Sequence, residues 1–173
     1  SSSGPGTVGH LAGELLNSTA GIKLVHVPYK GIAPGVVDLI AGQVQLSFPS
    51  IPVVIENVRS GKLKMIAQCG STRSPSVADV PTMLEAGLKG FEMTNWYGMM
   101  APAKISRDIV TRLNTEVNKI MALPDAKAKL EEVGTQLNPM TPEAFAKFLE
   151  SELAKYAKLV TSASLGAVTD RDL

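Results

Sequence analysis

The sequence is short of several features that define particular classes of protein. Its single cysteine, Cys69, cannot form an intramolecular disulfide. With 17 basic and 16 acidic residues the formal charge is only +1, and phosphate-backbone binding needs a larger basic surplus. This balance argues against nucleic acid as a partner. No apolar run approaches the roughly 20 residues of a membrane-spanning helix. No His, Cys and carboxylate residues cluster at metal-ligand spacing, so we predict no metal site.

The residues that are present predict an α/β fold. Hydrophobic residues make up 45% of the 173 and charged residues 19%, which is ordinary for one globular domain or two small lobes. Helical spacing and strand-like runs alternate in the first part of the chain. Helices are predicted at 8–18, 33–40 and 52–59, and strands at 23–27, 44–48 and 63–68. This order predicts βαβ units and a mainly parallel sheet, with ligands beyond the carboxyl ends of the strands.

The second part of the chain is predicted to be mostly helical. A proline-rich loop and a short helix at 82–86 precede an extended segment at 91–100, where Trp96 either packs or lines a cleft. Helices are predicted at 106–122, at 124–133 and from 141 to about 162. The residues after 162 show little pattern and are expected to fray. We place a lobe boundary near 96–102.

The opening run Ser-Ser-Gly-Pro-Gly-Thr-Val-Gly, residues 2–9, predicts a small-anion site at a helix start. Thr7 is a good N-cap residue, and the glycines keep side chains away from the backbone amides. The first four N–H groups of a helix have no intrahelical partner, and the helix dipole adds partial positive charge there. A carboxylate or phosphate suits this arrangement. The alternative is a plain helix cap without a ligand.

Two later loops repeat this pattern at the ends of the second and third predicted strand–helix units. Gly31 and Ala33 stand where the second helix begins, so its amides point back toward the strand ends. Helix starts that converge on one cleft would hold one carboxylate or both ends of a diacid. An ordinary βα loop remains the alternative, because Gly and Pro are common there. Ser50 is either a hydroxyl donor to the ligand or the N-cap of the third helix.

Residues 4–9 also match the G-x-G-x-x-G fingerprint of dinucleotide-binding enzymes. The full signature needs an acidic residue about 20 positions later, after the second strand. That strand ends in His26-Val-Pro-Tyr, so a dinucleotide-dependent enzyme is only an alternative, and no cofactor is predicted. A nucleophilic pair of Cys69 and His10 has no supporting context. A lone Cys in an apolar strand is usually an inert buried thiol, and His10 is expected to brace the loop by a hydrogen bond.

A series of short motifs follows one another along the chain to about residue 159. They are Ser-Ser-Gly-Pro-Gly-Thr, His26-Val-Pro-Tyr-Lys-Gly31, Asp38-Leu-Ile-Ala-Gly42, Ser60-Gly-Lys-Leu-Lys64, Asp79-Val-Pro-Thr82 and Trp96-Tyr-Gly-Met-Met-Ala-Pro102. Taken in order, these motifs resemble the Bug or TctC family of periplasmic solute-binding proteins, which serve tripartite tricarboxylate transporters. Gln45 and the Gln68-Cys69-Gly70 run depart from the family pattern, so Cys69 is given no functional role.

The resemblance implies a two-lobed, type II periplasmic-binding-protein fold that closes on a small carboxylate and has no enzymatic activity. It implies a periplasmic location and membrane permease subunits as partners, with a sensor-kinase ectodomain as the alternative partner. Family binding loops map onto a small set of residues in the three loops described above. They are Ser2, Ser3, Gly6, Thr7, Gly31, Ala33 and Ser50.

The resemblance also implies that this chain corresponds to the later part of a longer protein, without its signal peptide and opening strands. Residues 1–95 would be the second lobe, and residues 96–173 the returning, mostly helical part of the first lobe, so the two-lobed fold would be incomplete. A cleft closed from one side loses many of its contacts. We therefore expect weak or absent ligand binding by this chain, and association through uncovered apolar surface.

Overall fold

The computed structural model describes residues 1–162. Three helices form in the first part of the chain: α1 (Val8–Ala20), α2 (Ile32–Ile40) and α3 (Ile51–Arg59). Their positions confirm the predicted helices to within two residues at each end. Helix α1 ends where expected because Gly21 adopts the left-handed conformation at φ 66°, and its amide donates to the Asn17 carbonyl.

Three helices follow in the second part: α4 (Arg107–Ala122), α5 (Pro124–Glu132) and α6 (Pro142–Ser162). These also confirm the prediction, with α5 one residue shorter than expected. Ser106 caps α4 by accepting a hydrogen bond from the Ile109 amide at 3.4 Å. No helix among residues 1–162 combines the length and apolarity needed to cross a membrane. The prediction for the tail after residue 162 lies outside the described residues.

The predicted parallel sheet is the main correction. Residues 23–27, 44–48 and 63–68 run as connections without ladders, and in the described part of the chain the β pairing consists of two isolated parallel bridges, Ser2 with Pro28 and Gln68 with Thr82. The first two segments meet a neighbour only at their ends, where Ser1–Ser3 bonds to the Val27 and Leu46 carbonyls and to the Tyr29 amide. Within residues 1–162 no backbone hydrogen bond joins one of the three segments to another. Two apolar side chains on these segments are exposed, Val25 at 88% and Ile66 at 70%, whereas Val44 is buried.

The predicted helix at 82–86 is a single turn. Thr82 and Glu85 form a capping box, in which the Glu85 amide donates to Thr82 Oγ1 at 3.1 Å and the Thr82 amide donates to the Glu85 carboxylate at 2.8 Å. Gly87, at φ 97°, then turns the chain away. One turn fixes several residues for few hydrogen bonds, so a start signal without room to propagate does not produce a helix.

The buried core joins the two parts of the chain. Leu11, Ala12, Phe91 and Met93 form one cluster, and apolar side chains of α6, including Tyr156 and Val160, pack against it. Helix α6 therefore lies on α1. The boundary near 96–102 and the division into residues 1–95 and 96–173 stay predictions.

Trp96 takes the packing role rather than an open cleft position. Its indole ring meets Phe145 and Phe148 edge-on, with centroids 5.8 and 5.4 Å away. Its N–H donates to the buried Glu152 carboxylate at 3.1 Å. The extended segment is thereby fastened to α6.

Candidate functional site

Ser1–Ser3 lies between the ends of the first two extended segments, so the loops that follow these segments meet at one place. The Ser2 amide donates to the Val27 carbonyl at 3.2 Å, and the Tyr29 amide donates back to the Ser2 carbonyl at 3.1 Å. On the other side, the Ser1 amino group donates to the Leu46 carbonyl at 2.6 Å. The loops at the ends of these segments therefore come together as the α/β pattern predicts, although no β-ladder forms beside them.

Residues 4–7 form a tight loop that is fastened by side chains. The Thr7 hydroxyl donates to the Gly4 carbonyl at 2.7 Å, and the Gly4 amide donates to Ser2 Oγ at 3.1 Å. Gly4 and Gly6 have φ values of 132° and 72°, which other residues rarely adopt. Thr7 occupies the N-cap position of α1, but its side chain makes no capping bond. The predicted cap is therefore wrong in its chemistry, because the hydroxyl closes the loop instead.

The expected brace from His10 is present. The Gly6 amide donates to His10 Nδ1 at 3.1 Å, across four residues. This contact resembles a capping box shifted by one residue, since a side chain in the first helical turn accepts from the backbone before the helix. The Gly6 amide is thus engaged within the loop.

The second loop joins the first through its glycine. The Gly31 amide donates to the Ser3 carbonyl at 3.4 Å, and Gly31, at φ 100°, is the N-cap residue of α2. Ala33 lies in the first turn of that helix. The Tyr29 hydroxyl donates to the Asp38 carboxylate at 2.7 Å, which ties the loop to the helix body and raises the pKa of Tyr29.

The third loop reaches the start of α1 through Phe48. A Cβ added at Gly9 would stand 3.4 Å from the Phe48 carbonyl oxygen and 3.7 Å from Ser2 Cβ, so only a small residue fits there. Ser50 is the N-cap residue of α3, and its side chain makes no capping bond. Both interpretations of Ser50 remain open.

The first turns of the helices differ in charge between the two parts of the chain. Asp108, Asp125 and Glu143 each place a carboxylate in the first turn of α4, α5 and α6. The first turns of α1, α2 and α3 contain no acidic residue. A carboxylate at this position compensates the positive end of the helix dipole. We call the three loops that precede α1, α2 and α3 the loop cluster. At the starts of these three helices no carboxylate offsets the positive end of the helix dipole.

The amides at the start of α1 that have no intrahelical partner belong to residues outside the predicted site set. The first intrahelical hydrogen bond runs from the Leu11 amide to the Thr7 carbonyl at 3.0 Å. The amides of Val8, Gly9 and His10 precede it, and such groups need a partner from outside the helix. The missed signal was positional, because the donors follow the N-cap residue rather than lie in the glycine loop.

Sequence reasoning also missed His26. Its Nε2 atom lies 2.6 Å from Ser2 Oγ, and its ring stacks on that of His10 with a centroid separation of 3.9 Å. Ser2 is 1% exposed, and its hydroxyl is shared among His26 and the Gly4 backbone. The geometry thus gives Ser2 neighbours within the loop rather than an open position.

Cys69 packs against the core cluster, and burial raises the pKa of its thiol to about 11. Among residues 1–162 no three His, Cys, Asp or Glu side chains are grouped as metal ligands. The thiolate is the reactive form, so this cysteine lacks the environment of a nucleophile.

We expect Cys69 to react slowly with iodoacetamide while the chain is folded. At about pH 8, a raised pKa leaves roughly a thousandth of the thiol ionised, against about a quarter for a free cysteine. Alkylation in 8 M urea should therefore be at least about 100-fold faster than in buffer, as followed by mass spectrometry. Equal rates in the two conditions would contradict this environment; no other cysteine complicates the measurement.

Comparison with known proteins identifies the family. The sequence model of the tripartite tricarboxylate transporter family receptor, TctC, matches residues 1–165. A UPF0065 protein in the tcbD-tcbE intergenic region of a Pseudomonas species is 38% identical over 167 residues, which are 96% of this chain and 50% of the relative. A second, in the clcB-clcD intergenic region of Pseudomonas knackmussii, is 32% identical and covers 91% of this chain and 94% of the relative.

Known structures agree with this result. An R. palustris protein with adipate superimposes with a TM-score of 0.86 at 32% identity, covering 92% of this chain and 53% of that one. The periplasmic binding protein BugD gives a TM-score of 0.81 at 32% identity, covering 90% and 53%. MatC from Rhodopseudomonas palustris, with bound malate, gives 0.77 at 30% identity, covering 90% and 54%.

These relatives and structures are solute-binding receptors rather than enzymes, and their fold is that of periplasmic binding proteins. The chain belongs to the TctC, or Bug, family of tripartite tricarboxylate transporter receptors. It spans about half the length of the first of these relatives and of the three structures. The dinucleotide-enzyme alternative finds no support in this family.

Proposed function

We propose that this chain contributes to a periplasmic receptor that captures a small organic carboxylate and delivers it to the permease subunits of a tripartite transporter. The receptor family supports the role, and the structures with adipate and malate support a carboxylate as the ligand class. Nothing among these relatives favours a sensor-kinase partner.

The observation that carries this proposal is the group of uncompensated helix starts. Helices α1 and α2 begin at loops joined through Ser3 and Gly31, and α3 begins three residues after Phe48, whose carbonyl lies beside Gly9. None of the three has a carboxylate in its first turn. An anion placed there receives hydrogen bonds from fixed amides and the favourable ends of the helix dipoles. A neutral ligand of the same shape would form weaker hydrogen bonds with these amides, because hydrogen bonds to a charged acceptor are about twice as strong as neutral ones.

The proposed site keeps the predicted residues but separates their roles. Ser2 and Thr7 hold the loop in shape through their bonds to Gly4, and Gly6 does so through its bond to His10. The amides of Val8 and Gly9, at the start of α1, would contact the carboxylate.

The remaining predicted residues lie in the neighbouring loops. Ser3 and Gly31 link the first two loops. Ala33 and Ser50, at the starts of α2 and α3, would face the second end of a dicarboxylate. In the same proposal, residues 1–95 form the second lobe of the receptor and residues 96–173 return to the first.

The test changes charge at the helix start while keeping a good N-cap residue. Thr7→Asp and Thr7→Asn both remove the hydroxyl and its bond to Gly4, and Asp and Asn are comparable N-caps, so the pair differs only in charge. On titration with adipate we expect the amide NMR signals of Val8 and Gly9 to move in the wild type, and that of Val8, which an N-cap side chain does not engage, to move in Thr7→Asn. In Thr7→Asp the affinity should be at least about tenfold weaker, because a carboxylate now repels the ligand.

Adipamide, the neutral diamide, is the control ligand and should leave these signals in place. NMR is chosen because it detects the weak binding expected of this chain. Equal responses to adipate and adipamide, or shifts confined to residues far from the three loops, would contradict the proposed site. Comparable melting temperatures for the two variants would confirm that the charge, not the fold, accounts for the difference.

A further inference from the structure

Two stacked imidazole rings support the loop at residues 4–7 from inside. The rings of His10 and His26 are inclined by 13° at a centroid distance of 3.9 Å, and they are the only histidines in the sequence. The His10 ring contacts the loop directly at Gly6. The His26 ring contacts Ser2, whose hydroxyl accepts a hydrogen bond from Gly4 in the loop. Neither ring is proposed to contact the anion itself.

The hydrogen bond to Gly6 fixes the protonation state of His10. A backbone amide can only donate, so the Nδ1 atom that accepts from Gly6 must carry no proton. Neutral His10 therefore bears its proton on Nε2, which faces the Glu14 carboxylate at 3.8 Å. Protonation of Nδ1 would turn this acceptor into a donor and set two N–H groups against each other.

The contact between His26 and Ser2 depends on protonation in a different way. Ser2 Oγ has one hydrogen, and its possible acceptors are His26 Nε2 and the Gly4 carbonyl. Neutral His26 can accept it, whereas a doubly protonated ring donates to Ser2 and turns the hydroxyl toward Gly4. The ring can remain bonded in both states, so His10 is the more sensitive partner.

The geometry points to a proton-sensitive brace: the neutral His10–His26 stack positions the Gly4–Thr7 loop, and protonation of His10 releases it. His10 and His26 are thus positioning residues and do not themselves contact the ligand. The effect on ligand binding rests on the proposed function, whereas the effect on the loop does not.

The surrounding charges favour the neutral stack at neutral pH. Burial lowers the pKa of His26, and the neighbouring His10 and the amino group of Ser1 lower it further, while Glu14 on α1 opposes them. Two cations at stacking distance repel each other, so the stack resists taking up two protons. Because the pKa of His26 is depressed on folding, its contribution to stability is complete above its ordinary value near 6.5 and is lost as the pH falls below it.

The experiment follows the Gly6 amide and the histidine rings by NMR on the full chain between about pH 8 and pH 5. We expect the ring nitrogens of His10 to show a bare Nδ1 at the higher pH. In the state in which the ring signals show His10 protonated on Nδ1, the hydrogen-exchange protection factor of Gly6 should be about fivefold to tenfold lower, the loss expected for one hydrogen bond. Protection factors are already corrected for the intrinsic pH dependence of exchange.

Two variants test whether His10 holds Gly6 in a proton-dependent way or only contributes to the fold. In His10→Asn the side-chain oxygen takes the place of Nδ1 but does not titrate, so Gly6 should stay protected at both pH values. In His10→Ala the acceptor is gone, so Gly6 should be unprotected at both. Circular dichroism of each variant reports whether the helices are intact.

Unchanged protection of Gly6 when the ring signals show His10 protonated on Nδ1 would overturn the inference, as would a protonated Nδ1 at the higher pH. An adipate titration of the wild type and His10→Asn, at both pH values, separates it from the proposed function. Loss of the Gly6 bond without any adipate response leaves the brace in place and contradicts the carboxylate site. A full adipate response together with unchanged protection of Gly6 supports the carboxylate site and contradicts the brace.

Discussion

Replacing Phe91 with alanine should lower the free energy of unfolding by about 3–5 kcal/mol. Phe91 is 0% exposed, lies in the cluster with Leu11 and Met93, and stacks against Phe48 at 6.3 Å. Removing the ring leaves a cavity at the place where α6 packs on α1, and the surrounding backbone can close it only in part. Urea unfolding followed by circular dichroism measures the change.

Tyr97→Ala is the matched control for this prediction, because Tyr97 is also aromatic but 82% exposed. Its substitution should change stability by less than about 0.5 kcal/mol. A loss below about 1 kcal/mol for Phe91→Ala would mean that the cluster is not the core of this chain. The packing of α6 on α1 would then need another explanation.

Gly134→Ala should destabilise the chain by about 2–5 kcal/mol, through left-handed strain and overpacking together. Gly134 follows α5 at φ 81°, and an added Cβ would stand 2.5 Å from Ile51 Cγ2 and 2.8 Å from Ser76 Oγ. The backbone after α5 packs closely against the start of α3, so the methyl group must push these elements apart.

Gly90→Ala isolates the backbone term of this effect. Gly90 has nearly the same φ, 80°, yet no described atom lies within 4 Å of its added Cβ. It should cost only about 1–2 kcal/mol, the strain of a left-handed alanine. Thermal and urea unfolding of the two variants give the comparison. Equal losses at the two glycines would show that the contact with Ile51 and Ser76 relaxes freely.

The helices were predictable because their signals are local. The apolar spacing of α1 and its stop at Gly21 depend on residues within a few turns. The same holds for the capping serine before α4. At 82–86 the local start signal and the bounds were predicted correctly, but the segment forms a single hydrogen-bonded turn rather than a helix.

The strands were less predictable because pairing needs a partner. Residues 23–27 have the composition of a strand, but only Ser1–Ser3 lies beside their end, so the pairing stops at the bridge to Pro28. The sequence pattern of a segment indicates that it can form a β-strand. How far it pairs depends on the neighbouring segment in the folded structure.

The three candidate loops were predictable from the sequence, but the contacts within them were not. The glycine loop, the start of α2 and the brace from His10 all followed from residue type and spacing. The bond from Thr7 to Gly4 and the contact of His26 with Ser2 did not, because they depend on loop geometry and on residues distant in sequence. Side-chain hydroxyls in such loops have several possible partners, and only the folded backbone decides among them.

An anion site made from helix starts depends on the direction of the backbone rather than on the identity of side chains. Most substitutions in these turns leave the amides and dipoles where they are, so a preference for acids can survive extensive evolutionary divergence. The two structures that hold adipate and malate are only 32% and 30% identical to this chain. In the proposed site, the change that divergence must avoid is a new carboxylate in the first turns of α1, α2 and α3, and that constraint acts on one chemical group at a few positions.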